Sequence, residues 1–185
     1  MPDASQPCVS AIIPVYNGER RVGRAIESAL GQTYPPADVI VIDDGSTDGT
    51  LSVAREYPVT VISQANSGPG AARNAGAAIA TGQWLAFLDH DDAWMPEKTA
   101  RQLEYASDGS AGVIYTPRCK KEDVPITWDR LWAANVVGSP TGAIVRRECF
   151  FDAGGFDPRR ILIGTEDYNL WLKIALTDWR FVKCP

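Results

Sequence analysis

Long apolar runs are missing from this sequence: none approaches the roughly 18 residues that suggest a membrane span. Residues 1–7 carry no basic segment followed by an apolar one, so no signal peptide is read there. Basic stretches are missing as well. Lys and Arg number 18 against 23 Asp and Glu, for a net charge of -5. With no basic stripe visible, a general nucleic-acid binder is excluded. The four cysteines, Cys8, Cys119, Cys149 and Cys184, are scattered without metal-ligand spacing and fit reduced thiols in a cytoplasmic protein. Histidine occurs once, as His90. No internal repeat or low-complexity tract appears. What is present is 45% hydrophobic residues in a chain of 185, enough to build the core of one domain.

Residues 9–14 read as a first strand stopped by Pro14, followed by a turn at Tyr16, Asn17 and Gly18. Val22, Ala25, Ile26, Ala29 and Leu30 keep the spacing of an amphipathic helix, which Gly31 ends. Residues 39–42 form a second strand, too uniformly apolar for a sheet with one wet face. Ser46 or Thr47 is placed to cap the helix after it. A third strand covers 59–62. A small-residue helix follows over 71–80, with Pro69 in its first turn. A fourth strand covers 84–88. This alternation predicts an α/β protein: a mostly parallel sheet with helices on both faces, wound from right-handed crossovers. Beyond it the pattern predicts helices over 96–107, 148–153 and 166–177. Strands are expected at 113–115, 141–145 and from 179, with a polar, mobile loop at 118–125.

Two of the apolar strands run straight into acid. The second is followed by Asp43 and Asp44, the fourth by Asp89, His90, Asp91 and Asp92. In an open α/β sheet, ligands bind beyond the carboxyl ends of strands, so both clusters should converge on one edge. Asp89 and Asp91, two apart, point the same way in an extended chain, and Asp92 has room to turn back toward them. Carboxylates this close repel unless a cation sits between them, and a hard divalent ion such as Mg2+ or Mn2+ suits oxygen ligands. A nucleotide fits such an edge, because its base and ribose offer donors and its phosphates need a cation. The plainer reading of each cluster is a solvated acidic turn that caps a helix.

Six stretches carry a family resemblance. They are Ile13-Pro14-Val15-Tyr16-Asn17, Val41-Ile42-Asp43-Asp44-Gly45-Ser46, Asn66-Ser67-Gly68 with Ala72-Arg73-Asn74, Leu88-Asp89-His90-Asp91-Asp92, Gly154-Gly155-Phe156-Asp157, and Glu166-Asp167-Tyr168. In that order they resemble a family 2 glycosyltransferase with the GT-A fold, over nearly the whole chain. The resemblance implies one domain, with a nucleotide-sugar donor half at 1–95 and an acceptor half at 96–185. It implies that Pro14 and Tyr16 line the base pocket and that Asp44 meets the base, commonly uracil. Arg73 would lie near the nucleotide. Asp91 and Asp92 match the family's DXD metal motif, Asp91 nearer the ribose and Asp92 on the cation, with Asp89 as leading acid. Glu166 and Asp167 match an acceptor-side acid pair whose second member is the general base. The reaction implied is non-processive transfer of a sugar from a nucleotide-diphosphate sugar, commonly a UDP-sugar, to an acceptor hydroxyl. It proceeds with inversion and is assisted by Mn2+ or Mg2+. The partners implied are a glycan or lipid-linked acceptor, with work in the cytoplasm or at the inner face of the membrane, in cell-surface polysaccharide synthesis.

This sequence departs from the family in two respects. Some members carry a later histidine that completes the metal site, and the processive synthases carry a Gln-x-x-Arg-Trp motif; neither occurs here. A truncated chain and a compact non-processive enzyme both fit. The rivals are a nucleotide-sugar binding module of the same fold with little turnover, and an aspartyl-phosphate domain. The latter is disfavoured because residues 9–14 end without acid. His90 reads as a spacer between acids, Asn17 as a turn former.

Overall fold

The computed structural model describes residues 7–107, 109–117 and 125–185. The seven strands are β1 (Val9–Val15), β2 (Asp38–Asp43), β3 (Thr60–Ser63), β4 (Trp84–Phe87), β5 (Ala111–Tyr115), β6 (Ala143–Arg146) and β7 (Arg180–Lys183). They form one sheet in the order β3-β2-β1-β4-β6-β5-β7. Pairing is parallel from β3 through β4 and between β5 and β7. β6 alone runs against both its neighbours. The α/β architecture and the mostly parallel sheet match the expectation; the reversed strand leaves no mark in the residue pattern.

Period-two alternation assigns each strand residue to one of two cores. Ile12, Ile40, Ile42, Leu85, Phe87 and Val145 face one layer, which holds residues of α3 (Pro69–Ile79), α6 (Arg147–Asp152) and α7 (Glu166–Ile174). Ala11, Ile13, Val39, Val41, Ala86 and Ile144 face the other, with α1 (Val22–Leu30) and α2 (Thr50–Ala54). Both faces are therefore covered, which explains strands that are apolar throughout. On α1 the buried set is Val22, Ala25, Ile26 and Ala29, while Leu30, the fifth residue of the predicted stripe, is exposed at the helix end. The small residues of α3 let it lie close to the sheet: a Cβ on Gly76 would stand 2.4 Å from Ile12 Cγ2.

Several boundaries differ from expectation for local reasons. Pro14 does not end β1, which runs one residue further and keeps its register with β2. Leu88 donates its N–H to the Ile12 carbonyl and Asp44 to that of Val15, so even-numbered residues face β4 and odd ones β2. β4 pairs only as far as Ile12, so Pro14 lacks its N–H where no partner strand remains. Neither Ser46 nor Thr47 caps α2; Asp48 accepts the Thr50 N–H at 3.1 Å instead. Ser46 and Thr47 bond to Asn17, which has the left-handed φ of 50° expected of a turn former. The helix read at 96–107 is the shorter α4 (Lys98–Leu103), and α5 (Trp128–Ala133) was not anticipated. Most of the loop read at 118–125 lies outside the described residues.

Candidate active site

The carboxyl ends of β1, β2 and β4 open into one cleft of about 500 Å³. The end of β1 contributes Pro14 and the following Tyr16, the residue after β2 is Asp44, and the turn after β4 contributes Asp89, His90 and Asp91. The start of α3 adds Ala72 and Arg73, and the approach to α7 adds Ile163, Gly164 and Glu166. Strand polarity is what gathers them, since all three strands end at the same edge. The two acidic clusters do converge.

Asp44 is buried and does structural duty. Its Oδ1 accepts from Gln64 Nε2 at 2.7 Å and from the Ser67 N–H at 2.9 Å, and its Oδ2 accepts from the Gly68 N–H at 2.8 Å. These bonds hold the 64–68 loop that leads into α3. A carboxylate offers about four acceptor sites, so roughly one remains for a ligand. Asp43 points elsewhere, to Ser46 and Ser63.

Arg73 joins the two ends of the cleft. Its Nη2 donates to Asp89 Oδ1 at 2.6 Å and its Nη1 to Glu166 Oε1 at 2.8 Å. The arginine side chain is 6% exposed, Glu166 10% and Asp89 27%. Coulomb attraction and hydrogen bonds from both carboxylates outweigh burial and raise the Arg73 pKa, so the guanidinium stays charged. It also packs 5.2 Å from the Phe156 ring centroid. Two carboxylates on one arginine leave this buried cluster one negative charge in excess. Glu166 is further fixed by the Gly164 N–H at 2.6 Å. Asp89 receives the Ser139 hydroxyl at 3.4 Å and gives its own N–H to Thr141 Oγ1 at 3.2 Å. Sequence reading missed Ser139 and Thr141, which sit just before a strand of reversed direction.

The remaining acids separate. Asp91 lines the cleft with its side chain 49% exposed, and its nearest cation is Arg21 at 3.5 Å. Asp92 is exposed and does not line the cleft, although its N–H turns back to the Asp89 carbonyl at 2.9 Å. His90 is seated against Gly18, where a Cβ would lie 2.6 Å from the imidazole Cδ2. Asp167 follows Glu166 in the first turn of α7 and does not line the cleft. Burial pushes its carboxyl pKa up against the Tyr168 N–H bond that lowers it, with Glu166 and Asp89 raising it and Arg73 lowering it.

The donor set suits one kind of metal binding. No group of three His, Cys, Asp or Glu side chains is arranged to hold an ion among the described residues. Mg2+ and Mn2+ are commonly held by one or two carboxylates while substrate phosphates complete the shell. A half-exposed Asp91 at the wall of an open cleft fits that mode; a closed protein cage does not.

A family model, Glycosyl transferase family 2, matches residues 10–166. An uncharacterised glycosyltransferase of Haemophilus influenzae is 32% identical over 90% of this chain and 61% of its own length. TuaG of Bacillus subtilis, named for teichuronic acid biosynthesis, is 36% identical over 60% of this chain and 46% of its own. The chain thus spans about half the length of these curated relatives. Among solved structures, Staphylococcus aureus TarS 1-349 in complex with UDP superposes with a TM-score of 0.78 at 25% identity, over 95% of this chain and 57% of that one. A Pyrobaculum calidifontis mannosyltransferase with GDP-Man and Mn2+ gives 0.79 at 24% identity, over 98% of this chain and 56% of that one. That second likeness is in the fold.

Proposed function

This chain belongs to glycosyl transferase family 2, and from that premise we propose that it transfers a sugar from a UDP-sugar to an acceptor hydroxyl with inversion. The observation that carries the reading is the convergence of Asp44, Asp89, Asp91 and Glu166 in one cleft, with Asp167 one residue beyond. UDP in the TarS structure supports uridine as the base. Residues 1–95 form the donor half and 96–185 the acceptor half, Glu166 reaching across to the donor cleft. Pro14 and Tyr16 border the base, and Asp44 turns its remaining acceptor site to the uracil imide N–H. Arg73 orients Asp89 and Glu166. Asp91 would hold a divalent cation, which would supply positive charge to the leaving diphosphate.

Asp167 takes the proton of the acceptor hydroxyl. The hydroxyl oxygen bonds to the anomeric carbon from the face opposite the nucleotide as the bond to the diphosphate breaks, and UDP departs. A glycan or lipid-linked acceptor for cell-surface polysaccharide agrees with the name of the TuaG relative. Among the described residues no helix is long and apolar enough to cross a membrane. Sugar transfer and UDP release, assayed across UDP-sugars with Mn2+, test the reading. A full set of UDP-sugars giving neither release nor transfer overturns it.

Two expected results follow from the cleft. UDP binding should weaken when Mn2+ is chelated, and Asp91→Ala should remove that difference while Asp92→Ala keeps most of it, because Asp91 alone of the pair lines the cleft. Calorimetry of both variants with and without chelator reads it; equal UDP affinity in the wild type under both conditions sinks the metal assignment. For Asp44, the ratio of UDP to CDP affinity is the proper readout, since the side chain also holds the 64–68 loop. Cytosine lacks the imide donor, so the wild type should prefer UDP. Asp44→Asn should shrink the preference by about tenfold, the weight of one charge-assisted hydrogen bond. Tighter CDP binding by the wild type would rule the contact out.

A further inference from the structure

The helix α5 carries an aromatic surface that the donor cleft leaves unused. Trp128 and Trp132, four residues apart, stack with ring centroids 5.0 Å apart and planes 12° from parallel. Trp132 is nonetheless 65% exposed. The pair is held from behind by α7: the Tyr168 hydroxyl donates to the Leu131 carbonyl and to that of Trp132, the latter at 3.1 Å. Leu131 is fully buried, and Trp171 Nε1 bonds the Gly138 carbonyl at 2.9 Å beyond the helix. α5 is thus docked on the helix that begins with Glu166 and Asp167. Tyr168, the next residue after Asp167, is itself the link.

We propose that the Trp132 face is a stacking platform for a pyranose ring of the acceptor glycan, an inference that rests on the transferase reading above. A pyranose has a face of C–H bonds and a rim of hydroxyls. The negative face of an indole attracts the first, and polar groups take the second. Asp129, exposed and three positions before Trp132, lies on the same side of the helix and accepts from hydroxyls. Tyr168, adjacent in sequence to the candidate base, ties α5 to the start of α7 through the Leu131 and Trp132 carbonyls. A glycan whose terminal hydroxyl reaches Asp167 lays a neighbouring ring on Trp132.

The six tryptophans permit a direct test. Full-length protein carrying 15N-labelled tryptophan is titrated with methyl glycosides of glucose, galactose, mannose and N-acetylglucosamine, and in parallel with UDP and Mn2+. At least one glycoside should shift the Trp132 and Trp128 indole signals and leave buried Trp84 and Trp171 in place. Trp132→Ala should weaken that glycoside about five- to tenfold, the weight of a lost stacking contact, and Trp132→Phe should restore most of it. UDP affinity and melting temperature should stay at the wild-type value in both variants. If UDP binds but no glycoside moves the Trp132 signal, the platform is overturned and the transferase reading stands. If glycosides bind at Trp132 but UDP does not bind at all, the platform stands as a glycan site and the transferase reading falls. Broadening of Trp132 by phosphatidylglycerol vesicles without any glycoside shift makes the surface a lipid contact and overturns the proposal.

Discussion

Asp167→Asn should lower sugar transfer by at least about a hundredfold, the lower end of what a positioned proton acceptor contributes, while UDP affinity stays unchanged. The variant keeps the size and the acceptor oxygen that receives the Tyr168 N–H at 2.6 Å, so the loss isolates basicity. Stability should move the other way or not at all. Burial raises the Asp167 pKa in the folded chain above its ordinary value of 3.8. A carboxyl raised on folding contributes stability that is full below the unfolded pKa and is lost as pH rises through the folded one. At neutral pH the ionised carboxylate is therefore a cost, and the amide relieves it. A group kept for catalysis against stability has this signature. The same shift should place the acid limb of the pH–rate profile above that of an ordinary aspartate. Turnover, UDP affinity and melting temperature measured together decide the matter. A variant that melts lower yet turns over normally would reduce Asp167 to a helix-start acid that favours the macrodipole.

Arg73→Met should cost about 3–5 kcal/mol of folding stability, because it strands Glu166 and Asp89 side by side without their cation. The lower half of that range is expected, as Asp89 is 27% exposed and water relieves part of its charge. For a chain of this length each kcal/mol moves the melting temperature by roughly 2–4 °C, so a drop of about 6–15 °C is the expected reading. Adding Glu166→Gln to Arg73→Met should recover part of it by removing one of the stranded charges. A loss in the double variant equal to the sum of the two single losses would show that the pair is not coupled. Thermal melts of the wild type, the two single variants and the double variant supply the comparison.

The sequence made the donor edge legible because its information is local. Apolar runs that end in acid specify both a strand and its carboxyl terminus, and parallel polarity then brings Asp44, Asp89 and Asp91 together. The stripe on α1 and the small residues of α3 were readable for the same reason. Asp92 does turn back, its N–H bonding the Asp89 carbonyl, but that backbone turn leaves its side chain exposed outside the cleft, which spacing alone does not reveal. The Arg73 bridge spans 93 residues to Glu166, and no periodicity encodes a contact of that reach. α5 has Trp128, Leu131, Trp132 and Ala133 as its apolar signal, in a helix of six residues without a side-chain cap. What holds it is the hydroxyl of Tyr168, a tertiary contact rather than a propensity.

The reversed direction of β6 has a consequence for how relatives of this chain diversify. Because β5 and β6 are antiparallel, the chain leaves β5 at Tyr115 and re-enters β6 at Ala143 on one and the same edge, the edge that bears Asp89. Both ends of the intervening connection are thus anchored by the sheet beside the acids of β4. Within it, Ser139 and Thr141 bond Asp89 and Leu131 is buried in the core, so change without cost to the cleft is confined to its exposed positions. Transplanting residues 116–138 between relatives, with Ser139 and Thr141 kept, should change acceptor preference and leave UDP affinity at its wild-type value.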